Sequence, residues 1–120
     1  MAGTRRRQPV KKRRAPRAVL ILAAYPRLGV AERAARRLVR ERVLACATVS
    51  AARAFYVWEG RLLGELSAVL HGKTTAARAA EALRLIRKSH PDKVPEILVV
   101  DIAAGDPDYL AWVAEQVKAR

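Results

Sequence analysis

The chain has 120 residues, of which 52% are hydrophobic, 29% are charged and only 5% are aromatic. This length fits one domain with a single core, and no apolar run approaches the roughly 20 residues that cross a bilayer. Because Cys46 is the only cysteine, the sequence also excludes an intramolecular disulfide and a metal site built from several thiolates. Its apolar neighbours predict that Cys46 is a small buried hydrophobe and not a reactive thiol.

The formal charge of +13 is unevenly distributed along the chain. Residues 1–17 carry eight basic side chains and no acidic one, whereas residues 18–120 carry sixteen basic against eleven acidic. The first segment lacks apolar residues for a core, so we predict a disordered basic arm over 1–17 and one domain over 18–120. Three roles stay open for the arm: a solvated tail, a targeting signal, or loose, non-specific contact with RNA or DNA phosphates. Its basic residues are Arg5, Arg6, Arg7, Lys11, Lys12, Arg13, Arg14 and Arg17.

The apolar run at residues 18–24 follows this arm and therefore resembles the core of a signal peptide. It is at the short end of the roughly 7 to 15 apolar residues that such a segment needs, and Pro26 follows it without a clear cleavage pattern. Together with the single cysteine, this predicts a cytoplasmic protein with no membrane partner.

The hydropathy pattern predicts alternating strands and helices along the chain. They are a strand at 18–24, a helix at 30–42, strands at 45–58 and 62–74, a helix from 76 to 89, a strand at 97–102 and a last helix from 106 to 117. The strands at 18–24 and 97–102 are continuous apolar runs, which is typical of buried strands, and we predict that the first is buried on both faces. Asp106-Pro107 supplies an N-cap carboxylate and an N1 proline for the last helix. The order βαββαβ plus a C-terminal helix predicts an α+β, ferredoxin-like sandwich.

A long central hairpin, turning at Trp58-Glu59-Gly60, is the most distinctive predicted feature. Each arm could reach about 40 Å, whereas the first strand reaches only about 23 Å and a thirteen-residue helix about 20 Å. The far part of the hairpin therefore extends beyond the strand and helices that could pack against it, although it carries large apolar side chains. These are Phe55, Tyr56, Val57, Trp58, Leu62, Leu63 and Leu66. We predict that they form the interface of a closed homo-oligomer; the alternative is a hairpin folded back over its own sheet.

The sequence contains none of the common catalytic motifs. There is no G-x-G-x-x-G segment, no phosphate-binding G-x-x-x-x-G-K-[S/T] loop and no H-E-x-x-H helix. The first and third strands also lack the aromatic residues on which RNA-recognition domains of the same topology stack bases. We therefore predict a protein that is not an enzyme.

Several segments stand out by their composition and spacing. They are Leu44–Thr48, Phe55–Arg61, Lys73-Thr74, His90-Pro91, Val94–Ile97 and Gly105–Trp112. The W-E-G turn, the P-E pair before a strand and the D-Y-L-x-W helix are specific when they occur together. Over residues 18–117 the chain resembles the CutA divalent-cation tolerance family.

The resemblance implies a homotrimer with interlocking hairpins and a link to copper and other divalent metals. Copper ligation in the family is attributed to a cysteine at the end of the first strand and a histidine pair after the second helix. The matching positions here are Ala23 and Ser89-His90. His90 is thus the only candidate metal ligand, and we expect any binding of Cu or another divalent cation to be weak. The alternative role of His90 is interaction with the carbonyl groups that end the second helix.

The leading hypothesis is a cytoplasmic, homotrimeric CutA-like module for divalent-cation tolerance. By analogy with signalling trimers of the same subunit fold, clefts between subunits could bind a small anion or metabolite. The residues to test in such a cleft are Glu59, Lys73, Tyr109 and Trp112. For Tyr109 and Trp112 the alternative is core packing of the last helix. The competing hypothesis is a nucleic-acid-associated protein that binds through its basic arm.

Overall fold

The strands form one antiparallel sheet with two helices on one face. A computed structural model describes residues 16–118. Its elements are β1 (Ala18–Tyr25), α1 (Leu28–Arg40), β2 (Cys46–Trp58), β3 (Arg61–Thr75), α2 (Ala76–Ser89), β4 (Ile97–Asp101) and α3 (Pro107–Gln116). The strand order is β2-β3-β1-β4. This is the ferredoxin-like α+β sandwich with an additional C-terminal helix, so the predicted fold is confirmed.

The core lies between the sheet and the layer formed by α1 and α2. Alanine and leucine at helical spacing turn one side of each helix toward the sheet, as Ala31, Ala35 and Leu38 do on α1. Every second residue of each strand packs against these helix residues, because successive side chains of a strand point to opposite faces. Ile21 and Leu70 are fully buried in this way.

The prediction that β1 is buried on both faces is wrong. Val19, Ile21, Ala23 and Tyr25 are buried under the helices, whereas the alternating residues between them are only half-buried. The reason is that the second sheet face, called the open face here, is covered only at one end, by α3. Side chains on the open face are Leu20, Leu22, Ala24, Cys46, Thr48, Val69, His71, Lys73, Leu98 and Val100.

The strand β4 is also more exposed than its apolar sequence predicts. Leu98, Val99 and Val100 are each at least 40% exposed. A five-residue strand at the edge of the sheet has a single neighbour, β1, so neither of its faces is fully covered within one chain.

The central hairpin extends far beyond the rest of the sheet. Only Ala68–Thr75 of β3 pairs with β1, so Arg61–Ser67 pairs with β2 alone. Glu59 and Gly60 form the turn with φ angles of 51° and 77°, as a two-residue hairpin loop with matching twist requires. The molecule is consequently 61 Å long against 29 Å and 20 Å in its other dimensions. We call residues 52–67 the distal hairpin; it does not fold back over the sheet.

Almost all of the basic arm lies outside the described residues. The prediction that it is disordered concerns those residues and stays a prediction. Of its basic residues only Arg17 is described. The Arg17 carbonyl oxygen accepts from the amide of Ala76, and its guanidinium lies 2.9 Å from the carboxylate of Asp101. No helix within residues 16–118 is both long enough and apolar enough to cross a membrane.

Candidate functional site

The distal hairpin presents an apolar face to solvent. Strand pairing places Phe55 opposite Gly64 and Val57 opposite Leu62, with Leu66 next in line on that face. In this row Phe55 is 69% exposed, Val57 66%, Leu62 75% and Leu66 71%. On the other face Tyr56 and Trp58 are exposed and Leu63 is half-buried. All the residues predicted for the oligomer interface thus lie together beyond the helix layer.

Contacts within the distal hairpin hold it in shape without a third strand. The Tyr56 hydroxyl donates to a carboxylate oxygen of Glu65 at 2.5 Å. This hydrogen bond raises the pKa of Tyr56. The ring of Phe55 lies over Gly64 so closely that a Cβ there would be 2.8 Å from the ring. Both edges of the distal hairpin keep unpaired backbone groups, which is the geometry in which strands recruit another chain.

His90 joins the end of α2 to the end of β1. Its Nε2 lies 2.6 Å from the carbonyl oxygen of Ala24, and its Nδ1 accepts from the amide of Asp92 at 3.1 Å. Since a carbonyl only accepts and an amide only donates, these two contacts fit the tautomer that carries its hydrogen on Nε2. The ring also stacks on Tyr25 with centroids 4.5 Å apart. The predicted contact with the last carbonyls of α2 is therefore wrong for the imidazole; the hydroxyl of Ser89 bonds the Leu85 carbonyl instead.

The residues around His90 do not fit a metal ion. Both imidazole nitrogens are engaged in hydrogen bonds, Ser89 is bonded to its own helix, and Ala23 has no ligating atom. Within residues 16–118, no three His, Cys, Asp or Glu side chains are placed to hold one ion together, and a specific site normally needs three or four ligands. His90 as a ligand stays a prediction that the local geometry disfavours.

Next to the open face, α3 carries an exposed aromatic pair. The Asp106 carboxylate caps α3 by accepting from the amide of Tyr109 at 2.9 Å, as the sequence predicted. Tyr109 and Trp112 stack at 5.8 Å. They are 40% and 43% exposed, so core packing does not account for them in one chain. Instead Val113 and Val117 anchor α3, packing against Ala45.

Lys73 and Tyr109 both lie beside Cys46, but Glu59 does not. Strand pairing sets Cys46 opposite Lys73 on the open face. Partial burial raises the pKa of Tyr109, and the neighbouring Cys46 raises it further. Glu59 is at the hairpin turn, about 40 Å along β3 from Lys73. The structure thus brings Lys73, Tyr109 and Trp112 to one region, and only another copy of the chain could bring Glu59 there.

Sequence reasoning missed the role of Cys46, which it interpreted as a small buried hydrophobe. Cys46 is half-buried and lies close enough to Tyr109 to raise the pKa of its hydroxyl. Strand alternation from Ala47, which packs on the core, would have placed Cys46 on the open face. That α3 covers this face at this point has no local signal in the sequence.

The fold and the exposed hairpin define a class: a small ferredoxin-like subunit whose largest apolar surface is a hairpin outside its own core. Comparison with known proteins narrows this class. Residues 19–116 match the family model described as CutA1 divalent ion tolerance protein. The divalent-cation tolerance protein CutA of Citrobacter koseri is 35% identical over 99 residues, covering 82% of this chain and 86% of that protein. The chain therefore belongs to the CutA1 divalent ion tolerance family.

Solved structures agree with this assignment. CutA1 from Pyrococcus horikoshii superposes with a TM-score of 0.80 at 32% identity, covering 84% of this chain and 99% of that one. CutA from Archaeoglobus fulgidus, described as a periplasmic divalent cation tolerance protein, gives a TM-score of 0.81 at 28% identity over 84% of this chain and 99% of that one. Since one relative is described as periplasmic, the cytoplasmic location of this chain stays a prediction.

Proposed function

We propose that the protein acts in divalent-cation tolerance as a homotrimeric binding module, not as an enzyme, with the distal hairpins joining its subunits. The observation that carries the proposal is the row formed by Phe55, Val57, Leu62 and Leu66 between two unpaired strand edges. Each of these side chains stabilises an assembly by about 1.5 to 3 kcal/mol if it becomes fully buried. A monomer would leave this surface open to aggregation.

Geometry supports a closed assembly, and the family resemblance supports the number three. Strands recruited by a free edge add indefinitely unless symmetry closes the ring. The long hairpin also lets the turn of one subunit reach the sheet of another. In the proposed trimer, clefts between subunits bind a small anion or metabolite beside the Lys73 ammonium and the Tyr109–Trp112 pair. Glu59 of a second copy would complete each cleft.

Native mass spectrometry of protein purified without added metal tests this proposal directly. We expect a species of three times the 13.2 kDa chain mass, together with any bound anion as additional mass. Light scattering at micromolar concentration should give the same subunit number. A monomer in both measurements would contradict the proposal, whatever small molecules it bound.

A further inference from the structure

Positive charge in the folded domain is concentrated on the helix layer. The helices α1 and α2 together carry eight basic and two acidic residues, whereas the rest of residues 18–120 carries eight basic and nine acidic. The net charge of the domain thus comes entirely from the two helices. Because they cover one sheet face, their outer surface forms a cationic side opposite the open face.

The centre of this surface is a row of arginines on α1. Arg33, Arg36, Arg37 and Arg40 are exposed and recur at intervals of three and four residues, which places them along one side of the helix over about 10 Å. Arg37 pairs with Glu41 at 3.0 Å. Among the described residues, no carboxylate forms an ion pair with the other three. We call these four residues the arginine row.

Arg17, the final residue of the basic arm, lies near the end of α1 where the arginine row finishes. Arg17 bonds the first residue of α2, Ala76, through its carbonyl oxygen. Two residues further on, the Arg78 guanidinium donates to the carbonyl oxygen of Arg42, just after α1. These contacts place the start of the described chain beside the C-terminal end of the arginine row. The most basic segment of the sequence therefore joins the described domain beside the most basic surface of the fold.

We infer that the arginine row binds the phosphate backbone of double-stranded nucleic acid without sequence preference. A duplex carries one phosphate charge per about 1.7 Å of its axis when both strands are counted, so one strand presents roughly three phosphates along about 10 Å. Guanidinium groups match phosphate oxygens in a bidentate way. This interaction is separate from the proposed trimer, because it uses the helix layer and not the distal hairpin.

The chemistry of the helix layer favours a duplex over single strands and over membranes. Single-stranded nucleic acid is held by aromatic stacking, and a membrane surface by apolar anchors inserted beside the charges. Neither α1 nor α2 contains an aromatic residue. The exposed aromatics are Phe55, Tyr56, Trp58, Tyr109 and Trp112, all on the hairpin or α3. Only two large apolar side chains of the helix layer are exposed, Leu28 at 43% and Val39 at 38%. What the layer mainly offers is charge, which suits backbone contacts to a duplex.

Fluorescence anisotropy with a labelled random-sequence DNA duplex of about 30 base pairs tests the inference, using the full chain from about 50 to about 200 mM NaCl. The test variant is Arg33→Gln/Arg36→Gln/Arg40→Gln. The matched control, Arg61→Gln/Lys93→Gln/Lys118→Gln, removes the same charge from exposed positions outside the helix layer. For each bound subunit, the test variant should reduce the slope of log K against log salt by about 3, and the control by much less.

Three results would overturn the inference. One is the absence of binding by the full chain at about 50 mM NaCl. The second is an equal loss in test and control variants, because binding would then reflect net charge or the arm alone. The third is retention on phosphatidylserine vesicles without retention on the duplex. Circular dichroism and native mass spectrometry of both variants show whether fold and subunit number are kept.

Discussion

His90 Nε2 donates a hydrogen bond to the carbonyl oxygen of Ala24 at 2.6 Å and so fixes the end of α2 against the end of β1. The same ring stacks on Tyr25 and accepts the amide of Asp92. One side chain therefore connects a helix, a strand and the loop that follows the helix.

Replacing His90 by alanine should lower the free energy of unfolding. His90→Ala leaves the Ala24 carbonyl without its donor and removes the ring from Tyr25, which together should cost about 1 to 3 kcal/mol. Chemical denaturation followed by circular dichroism measures the change. Lys93→Ala, at an exposed neighbouring position, is the control and should change the free energy of unfolding by less than about 0.5 kcal/mol. Equal effects would show that the His90 contacts do not stabilise the fold.

The engagement of both imidazole nitrogens leads to a prediction about copper. A Cu(II) ion at His90 would have to displace either the Ala24 carbonyl or the Asp92 amide. We therefore expect His90→Ala to leave Cu(II) affinity and stoichiometry unchanged in isothermal titration calorimetry. His71→Ala is the matched control, because it removes the other histidine of the chain, which lies on the open face. Loss of a tight Cu(II) site in His90→Ala alone would show that His90 is a ligand after all.

The apolar row of the distal hairpin can be tested by replacing two leucines. Leu62→Ser/Leu66→Ser should reduce the subunit number, because both side chains are solvated in a single chain and gain only from a partner. Native mass spectrometry at equal concentrations measures the distribution. Leu28→Ser provides a control at another exposed leucine, on α1, and should leave the assembly intact. An unchanged subunit number in the double variant would rule out this face as the interface.

Gly72 is a position where the fold requires the absence of a side chain. It is buried opposite Ala47, and a Cβ there would lie 2.6 Å from Cδ1 of the buried Leu44. Gly72→Ala should therefore destabilise by about 1 to 3 kcal/mol through overpacking. Gly29→Ala is the matched control: it lies in α1, where the nearest group is a flexible arginine at 3.7 Å. There the substitution should stabilise by about 0.5 to 1 kcal/mol. Thermal melts of both variants test the sign of each change in stability.

The buried hydroxyl of Tyr25 predicts a loss of stability in alkali. Burial raises the pKa of Tyr25 to about 12, so the unfolded chain releases this proton at lower pH than the folded one. The stabilising contribution is complete below about pH 10 and is lost as the pH rises toward about 12. Denaturant midpoints measured across this range should fall.

Tyr25→Phe tests the cause of that loss. The hydroxyl has no hydrogen-bond partner within the described residues, and burying an unpaired hydroxyl costs about 1 to 3 kcal/mol. The variant should therefore be at least as stable as the natural protein at neutral pH and should lose less stability in alkali. A variant that is less stable at neutral pH would indicate a partner for the hydroxyl.

Local patterns predicted the elements well because their signals lie within a few residues of each other. The Glu59-Gly60 turn, the Asp106-Pro107 helix start and the apolar spacing of α2 each act over a single turn or strand. The family resemblance also depended on such local segments. Exposure was predicted less well: β1 and β4 were expected to be buried, but the open face leaves them half-covered or exposed in one chain.

The sequence by itself determined the order of elements, the family and the excess length of the hairpin. These features depend on residues that are consecutive in the chain, which set strand length and turn type. Only the tertiary structure decided what His90 contacts, that Cys46 lies near Tyr109, and that the arginine row ends near Arg17. Those pairs are separated by dozens of residues along the chain. Their proximity depends on how the sheet, the helix layer and α3 pack together, and local propensity carries no information about that packing.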